Sequence, residues 1–219
     1  MNYFQIVQAA LTQAANVIAT ARNLPPDVVR TLLKGHLQAM NEAWFSGQAP
    51  GIAYQDPLLR LAYLYCHVAV NANLFEHVLR SSPILKAQVD SRIAAGDLKV
   101  CAFGGGPGTE LLALSKYLTT DRPGRPLAIV NFTLIDRVSE WAETWSSLET
   151  AIRTELDQSF PDRAQWPFMT QKTFLPVDIT RLDHFGNLES LLAHDIYALN
   201  YVVSEMIGME PHLEALLAR

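Results

Sequence analysis

Charge is scarce in this sequence, and basic charge clusters nowhere. Of 219 residues 18% are charged, 17 basic against 22 acidic, for a net charge of −5. Proteins that hold nucleic acid by its phosphates display a basic face. The lack of one argues against nucleic acid and leaves a small molecule or a protein as substrate. Cysteine is nearly absent. Cys66 and Cys101 are too few for a disulfide framework, and both sit in apolar runs where cysteine packs as a small hydrophobe. A reducing, cytoplasmic setting suits such a chain. No apolar run approaches the roughly 20 residues that a membrane helix needs. The uncharged stretch Met1–Ala21 is broken by Gln5, Gln8, Thr12, Gln13 and Asn16 and has no basic leader. It reads as an amphipathic helix, neither a secretory signal nor a span. There is no G-x-S-x-G elbow and no lysine of a P-loop, which sets aside those nucleophile and nucleotide sites. Cys66, His67, Glu76 and His77 have no metal-ligand spacing, so no metal is expected.

What is present is a globular composition, 49% apolar, without repeats or low-complexity tracts. Residues 1–96 read as helical. Phe4, Val7, Leu11, Ala14 and Ile18 recur at helical spacing. Pro25-Pro26 separates this helix from a second one running through Val29, Leu33, Met40 and Trp44 to Gly47. Residues 46–54 read as a loop. Asp56-Pro57 and Ser82-Pro83 each pair an N-cap with a first-turn proline. The pattern changes at Asp97. Short apolar runs at Leu98–Phe103, Phe132–Ile135, Phe174–Val177 and Ile196–Asn200 alternate with helical segments at Thr109–Leu118, Ser139–Leu156 and Phe185–His194. Alternation of this kind predicts a parallel sheet with crossover helices. The expected organisation is therefore a helical region over 1–96 and a Rossmann-like α/β half-domain over 97–219.

The run Leu98–Phe103 enters Gly104-Gly105-Gly106-Pro107-Gly108-Thr109-Glu110 and then a helix. Glycines allow a tight turn and close approach to a ligand. The helix start offers unpaired N–H groups and a positive dipole end. Ligands of open α/β sheets lie across the carboxyl ends of the strands. Asp136 ends the second apolar run, where a carboxylate can accept from ribose hydroxyls; the less favoured alternative is a helix cap or surface turn. Asp178 ends the third, where it could meet an adenine amino group or cap the turn through Thr180.

VCAFGGGPGTELLAL followed by FTLIDR resembles motifs I and II of class I S-adenosylmethionine (SAM)-dependent methyltransferases over residues 97–205. The resemblance implies SAM as cofactor. Gly104, Gly106 and Gly108 would approach its methionine and ribose portion, with Phe103, Gly105, Pro107, Glu110 and Arg137 around them. Asp136 would bind the ribose diol, and Asp178 with Ile179 would frame the adenine. Asn200 would face the cofactor and acceptor, and Glu205 would be the candidate base. Two departures stand out. Ala102 replaces the acid that the family often carries two positions before the first spaced glycine, and the family's strands beyond the fourth are not found. The sheet is accordingly expected to hold about four strands and to be incomplete. Its fourth strand, IYALNYVV, would be an apolar edge that a second copy, a partner chain or the N-terminal helices cover. Core packing is favoured for Tyr63, Tyr65, His67, Trp141 and Trp145, though Trp141 could stack near the adenine. The leading expectation is methyl transfer from SAM to an acceptor. The rival is a non-catalytic methyltransferase-like subunit used in assembly. A nicotinamide-dependent oxidoreductase shares the loop but fits GGGPG-Thr-Glu poorly.

Overall fold

The computed structural model describes residues 1–46, 51–121, 127–181, 193–200, 211 and 214. The described elements of the N-terminal part are all helices. Helix α1 spans Tyr3–Ala21 and is capped by the Asn2 side chain, which accepts from the Phe4 N–H. Helix α2 spans Pro26–Phe45. Helix α3, Pro57–Tyr63, starts at Asp56, whose carboxylate accepts from the Leu58 N–H. A π-helical turn, Leu64–Val68, joins it to α4, Ala69–Ser81. Helix α5, Pro83–Ala94, is capped by Ser82. Both proline-marked starts read from the sequence are real caps.

The α/β part begins at Gly96, whose φ of +88° suits a chain reversal after a helix. Strand β1 is Asp97–Phe103, helix α6 Thr109–Asp121, β2 Ala128–Asp136, α7 Trp141–Ser159, β3 Phe168–Pro176 and β4 Ile196–Ala198. The sheet is fully parallel in the order β3-β2-β1-β4, the expected Rossmann-like α/β arrangement. Strands β2 and β3 start earlier than the apolar runs suggested, since Asn131, Gln171 and Lys172 break the apolar signal but not the ladder. β4 ends at Ala198 rather than Asn200. All but the last two residues of the helix expected over Phe185–His194 lie outside the described residues, as does Glu205, and Ala193 and His194 are not helical.

One hydrophobic core runs from Tyr3, Ile6 and Val7 through Leu64, Val68 and Phe75 to Leu111, Tyr117, Val130, Phe132, Trp145 and Phe168. It fills one face of the sheet. Helices α6 and α7 lie on that face, and α1 and α4 pack over them as an outer layer. Among the described residues the opposite face is thinner. Cys101, Phe103, Ile135 and Ile179 form a small cluster near the strand ends. Further back that face carries Lys99, Asn131, Gln171 and Thr173, while Ile129, Met169 and Tyr197 are exposed among the described residues. A third cluster of Ile18, Val29, Leu58 and Leu61 ties α1, α2 and α3 together.

Candidate functional site

The carboxyl end of β1 delivers the chain into the glycine loop, as the sequence predicts. Gly104 donates to the Ile135 carbonyl at 2.7 Å, which stitches the loop to the end of β2. Gly106 and Gly108 adopt φ of +48° and +82°, a region that costs a side-chain-bearing residue about 1–2 kcal/mol. Space is a second constraint at Gly108, where a Cβ would lie 2.5 Å from the Trp145 ring. Trp145 of α7 is thus the floor under the loop, and Trp141 one turn earlier lies over Gly106. Both tryptophans are buried, in keeping with a core role.

Asp136, the last residue of β2, faces this loop. Its Oδ2 accepts from the Gly106 N–H at 3.1 Å and its Oδ1 from the Val138 N–H at 2.9 Å. Burial pushes its carboxyl up to about 6, against the two backbone donors and the nearby Arg137 charge. Asp136 thus holds its own turn and also bonds to the glycine loop. Asp178 lies two residues past the end of β3. Its Oδ1 accepts from the Thr180 N–H at 2.9 Å and from the Thr180 hydroxyl at 2.6 Å. The capping arrangement is the one formed. Ile179 is buried with Phe103 and Ile135, beside the tips of β1 and β2. Arg137 is exposed and Pro107 buried.

Glu110 is buried in the first turn of α6, with 4% of its surface exposed. Asn200 donates its Nδ2–H to Glu110 Oε1 at 3.0 Å. Oε2 has no hydrogen-bond partner among the described residues. Burial drives this carboxyl up to about 7, against the Asn200 bond. Ala102, where the family often carries an acid, is fully buried in the main core, and its Cβ lies 3.0 Å from where a Gly105 Cβ would stand. A carboxylate there would enter an apolar, crowded place.

The segment before β1 contributes an aromatic wall at Trp141. Tyr54 and Tyr63 pack on Trp141 with ring centroids 5.1 and 5.4 Å apart, and His67 packs on Tyr63 at 4.9 Å and on Trp44 at 5.6 Å. Burial pushes the His67 imidazole down, toward the neutral form. Arg60 was missed. It is buried, donates to the Tyr54 and Gln55 carbonyls at 2.8 and 2.9 Å, and reaches Thr144 and Glu143 of α7. It fixes the Tyr54 loop against the helix that carries Trp141. The available signal was one arginine inside the apolar α3 segment PLLRLAY. Tyr65, by contrast, is exposed. Glu76 is taken up by Tyr3, Arg80 and Lys116, and no group of three metal-ligating side chains exists among the described residues. Nor is any described helix long and apolar enough to cross a membrane.

Residues 57–204 match a family described as "Putative SAM-dependent methyltransferase". The chain belongs to that family. The match begins at α3, nearly fifty residues before the glycine motif, so the aromatic wall from Tyr63 onward lies within the family's own segment. Comparison with curated proteins and with solved structures gives no match. The residues present suit a SAM-type group: a glycine loop at a strand end, a carboxylate beside it on β2, and an orphaned buried carboxylate oxygen on Glu110.

Proposed function

We propose that this methyltransferase-family chain binds SAM at the carboxyl ends of β1 and β2 and directs its methyl group to a small-molecule or protein acceptor. The observation that carries the reading is Asp136, buried at the end of β2 and bonded to the backbone of Gly106 in the loop. Bound SAM would supply an electrophilic methyl on a sulfonium. The chain's part is to hold the ribose at Asp136, to let the backbone of Gly104–Gly108 come close, and to keep water out. The aromatic wall of Tyr54, Tyr63 and Trp141 suits the last task. Asn200 stands at the β4 side of the same end and, through its bond to Glu110, positions that carboxylate. Glu205 remains the proposed base by sequence place alone. A cytoplasmic location and coverage of the β4 edge by a second copy or a partner chain belong to the same proposal.

The second reading is a subunit that binds SAM without transferring its methyl. The apolar Ala102 position favours it. The deciding experiment is a thermal shift with SAM, S-adenosylhomocysteine (SAH) and NAD on the wild type and Asp136→Ala. A ligand at a hundred times its Kd adds about 2.7 kcal/mol. The expected outcome is a rise with SAM and SAH, no rise with NAD, and loss of the rise in Asp136→Ala. No rise with either adenosyl compound would sink both readings. Transfer of a labelled methyl group to a cell fraction would then separate the enzyme from the subunit.

A further inference from the structure

The ligand proposed above needs a counter-charge for its α-ammonium group, and the position where the family often keeps an acid is filled by Ala102 in the apolar core. The sheet order puts β2 on one side of β1 and β4 on the other. Asp136 marks the β2 side of the glycine loop, and Asn200 marks the β4 side. A ligand lying across the loop with its ribose at Asp136 extends its other end toward β4. There the only acid that the described structure brings to the loop is Glu110, with Oε1 held by Asn200 at 3.0 Å and Oε2 buried and without a partner. A carboxylate in the first turn of a helix is favoured by the helix dipole, yet full burial with only neutral donors, Asn200 and its own backbone N–H, leaves its charge largely uncompensated. Such a group is built to receive a cation.

We infer that Glu110, clamped by Asn200, is the anionic partner of the ligand's α-ammonium group, in the role that an acid at position 102 would otherwise fill. The inference rests on the SAM-binding reading. It predicts selectivity for the amino group itself, separate from ribose recognition. Burial, which raises the Glu110 carboxyl to about 7, agrees with a charge that waits for its partner.

The test is calorimetric titration of the full chain at pH 8 with two probes, SAH and SAH lacking its α-amino group. The wild type should bind SAH at least about thirtyfold more tightly than the deaminated probe, as expected for a buried charge pair. Glu110→Gln should lose most of that ratio by weakening SAH alone, whereas Asp136→Ala should weaken both probes together. Asn200→Ala, which removes the clamp at a half-exposed position, should also lower the ratio, and it serves if Glu110→Gln does not fold. Equal binding of the two probes by the wild type would overturn the role of Glu110 and leave SAM binding standing. So would an unchanged ratio in the variants. Failure of the wild type to bind either probe would overturn the SAM-binding reading and this inference together.

Discussion

Asp136 engages both carboxylate oxygens with backbone N–H groups, one across the loop and one in its own turn. Its hydrogen-bond acceptance toward a ribose requires the ionised form, and burial has moved its pKa from 3.8 to about 6. Affinity for SAH lacking its α-amino group, which the Glu110 carboxylate does not hold, should therefore be constant above pH 7 and fall as pH drops through 6, approaching about tenfold per unit. Flat affinity down to pH 5, measured by titration calorimetry, would remove Asp136 from the binding step. Glu110 has the opposite consequence for stability. A folded-state pKa raised from 4.5 to about 7 means the folded chain holds a proton that the unfolded chain has released between those values. Stability contributed by this residue is thus lost as pH rises through that window. Glu110→Gln should match the wild type at pH 5 and exceed its stability at pH 8, by up to about 3 kcal/mol. Gly108 sets a purely steric demand. Gly108→Ala combines a left-handed backbone with a Cβ 2.5 Å from Trp145. It should cost about 2–4 kcal/mol in urea unfolding. A loss below 0.5 kcal/mol, about the size of an ordinary surface substitution, would show that α7 yields.

Among elements, the decisive joint is that between the N-terminal helices and the crossover helices. Glu76 of α4 receives the Tyr3 hydroxyl of α1 at 2.6 Å, Lys116 of α6 at 3.0 Å and Arg80 of its own helix at 2.7 Å. Burial alone would raise its pKa, but these donors outweigh burial and hold it below the usual value. Its contribution is present above the ordinary carboxylate range and is lost on acidification through it. Glu76→Ala leaves Tyr3 buried without its acceptor and should destabilise by about 2–3 kcal/mol at pH 7, less than a fully buried pair because Lys116 and Arg80 are partly exposed. The check is a shift of the urea midpoint at unchanged slope, shrinking toward pH 4. Helix starts at Asp56-Pro57 and Ser82-Pro83 were legible because capping is local chemistry. The π-helical turn at Leu64–Val68 was not, because nothing in LYCHV separates a widened turn from a regular one. It arises within tertiary packing, in a turn whose His67 stacks on Tyr63 and Trp44.

At the scale of the molecule, the main core is continuous from α1 to β3. The helical region and the α/β part should therefore unfold together. Far-UV and near-UV signals should give one coincident transition, and the calorimetric and van't Hoff enthalpies should agree. Two separated transitions would mean that residues 1–96 form an independent unit. The sheet is unusual for an all-parallel one, since such sheets are ordinarily apolar on both faces. Here Lys99, Asn131, Gln171 and Thr173 make the second face largely polar behind the Phe103–Ile179 cluster. Among the described strands, β4 lies at the edge beside β1.

By itself the sequence determined the features whose physics is local. Proline and N-cap pairs fixed helix starts, the glycine cluster after an apolar run fixed the strand-loop-helix turn, and acids at the ends of apolar runs marked the carboxyl ends of β2 and β3. Tertiary structure decided what depends on distant neighbours. It gave the strand order, made Asp136 a partner of Gly106, and turned Asp178 inward onto Thr180. It packed Tyr54 and Tyr63 on Trp141, which itself lies against Gly106, and it brought Asn200 from 90 positions away to Glu110. The burial that sets the charge of both carboxylates is a property of what surrounds them, and no spacing along the chain encodes it.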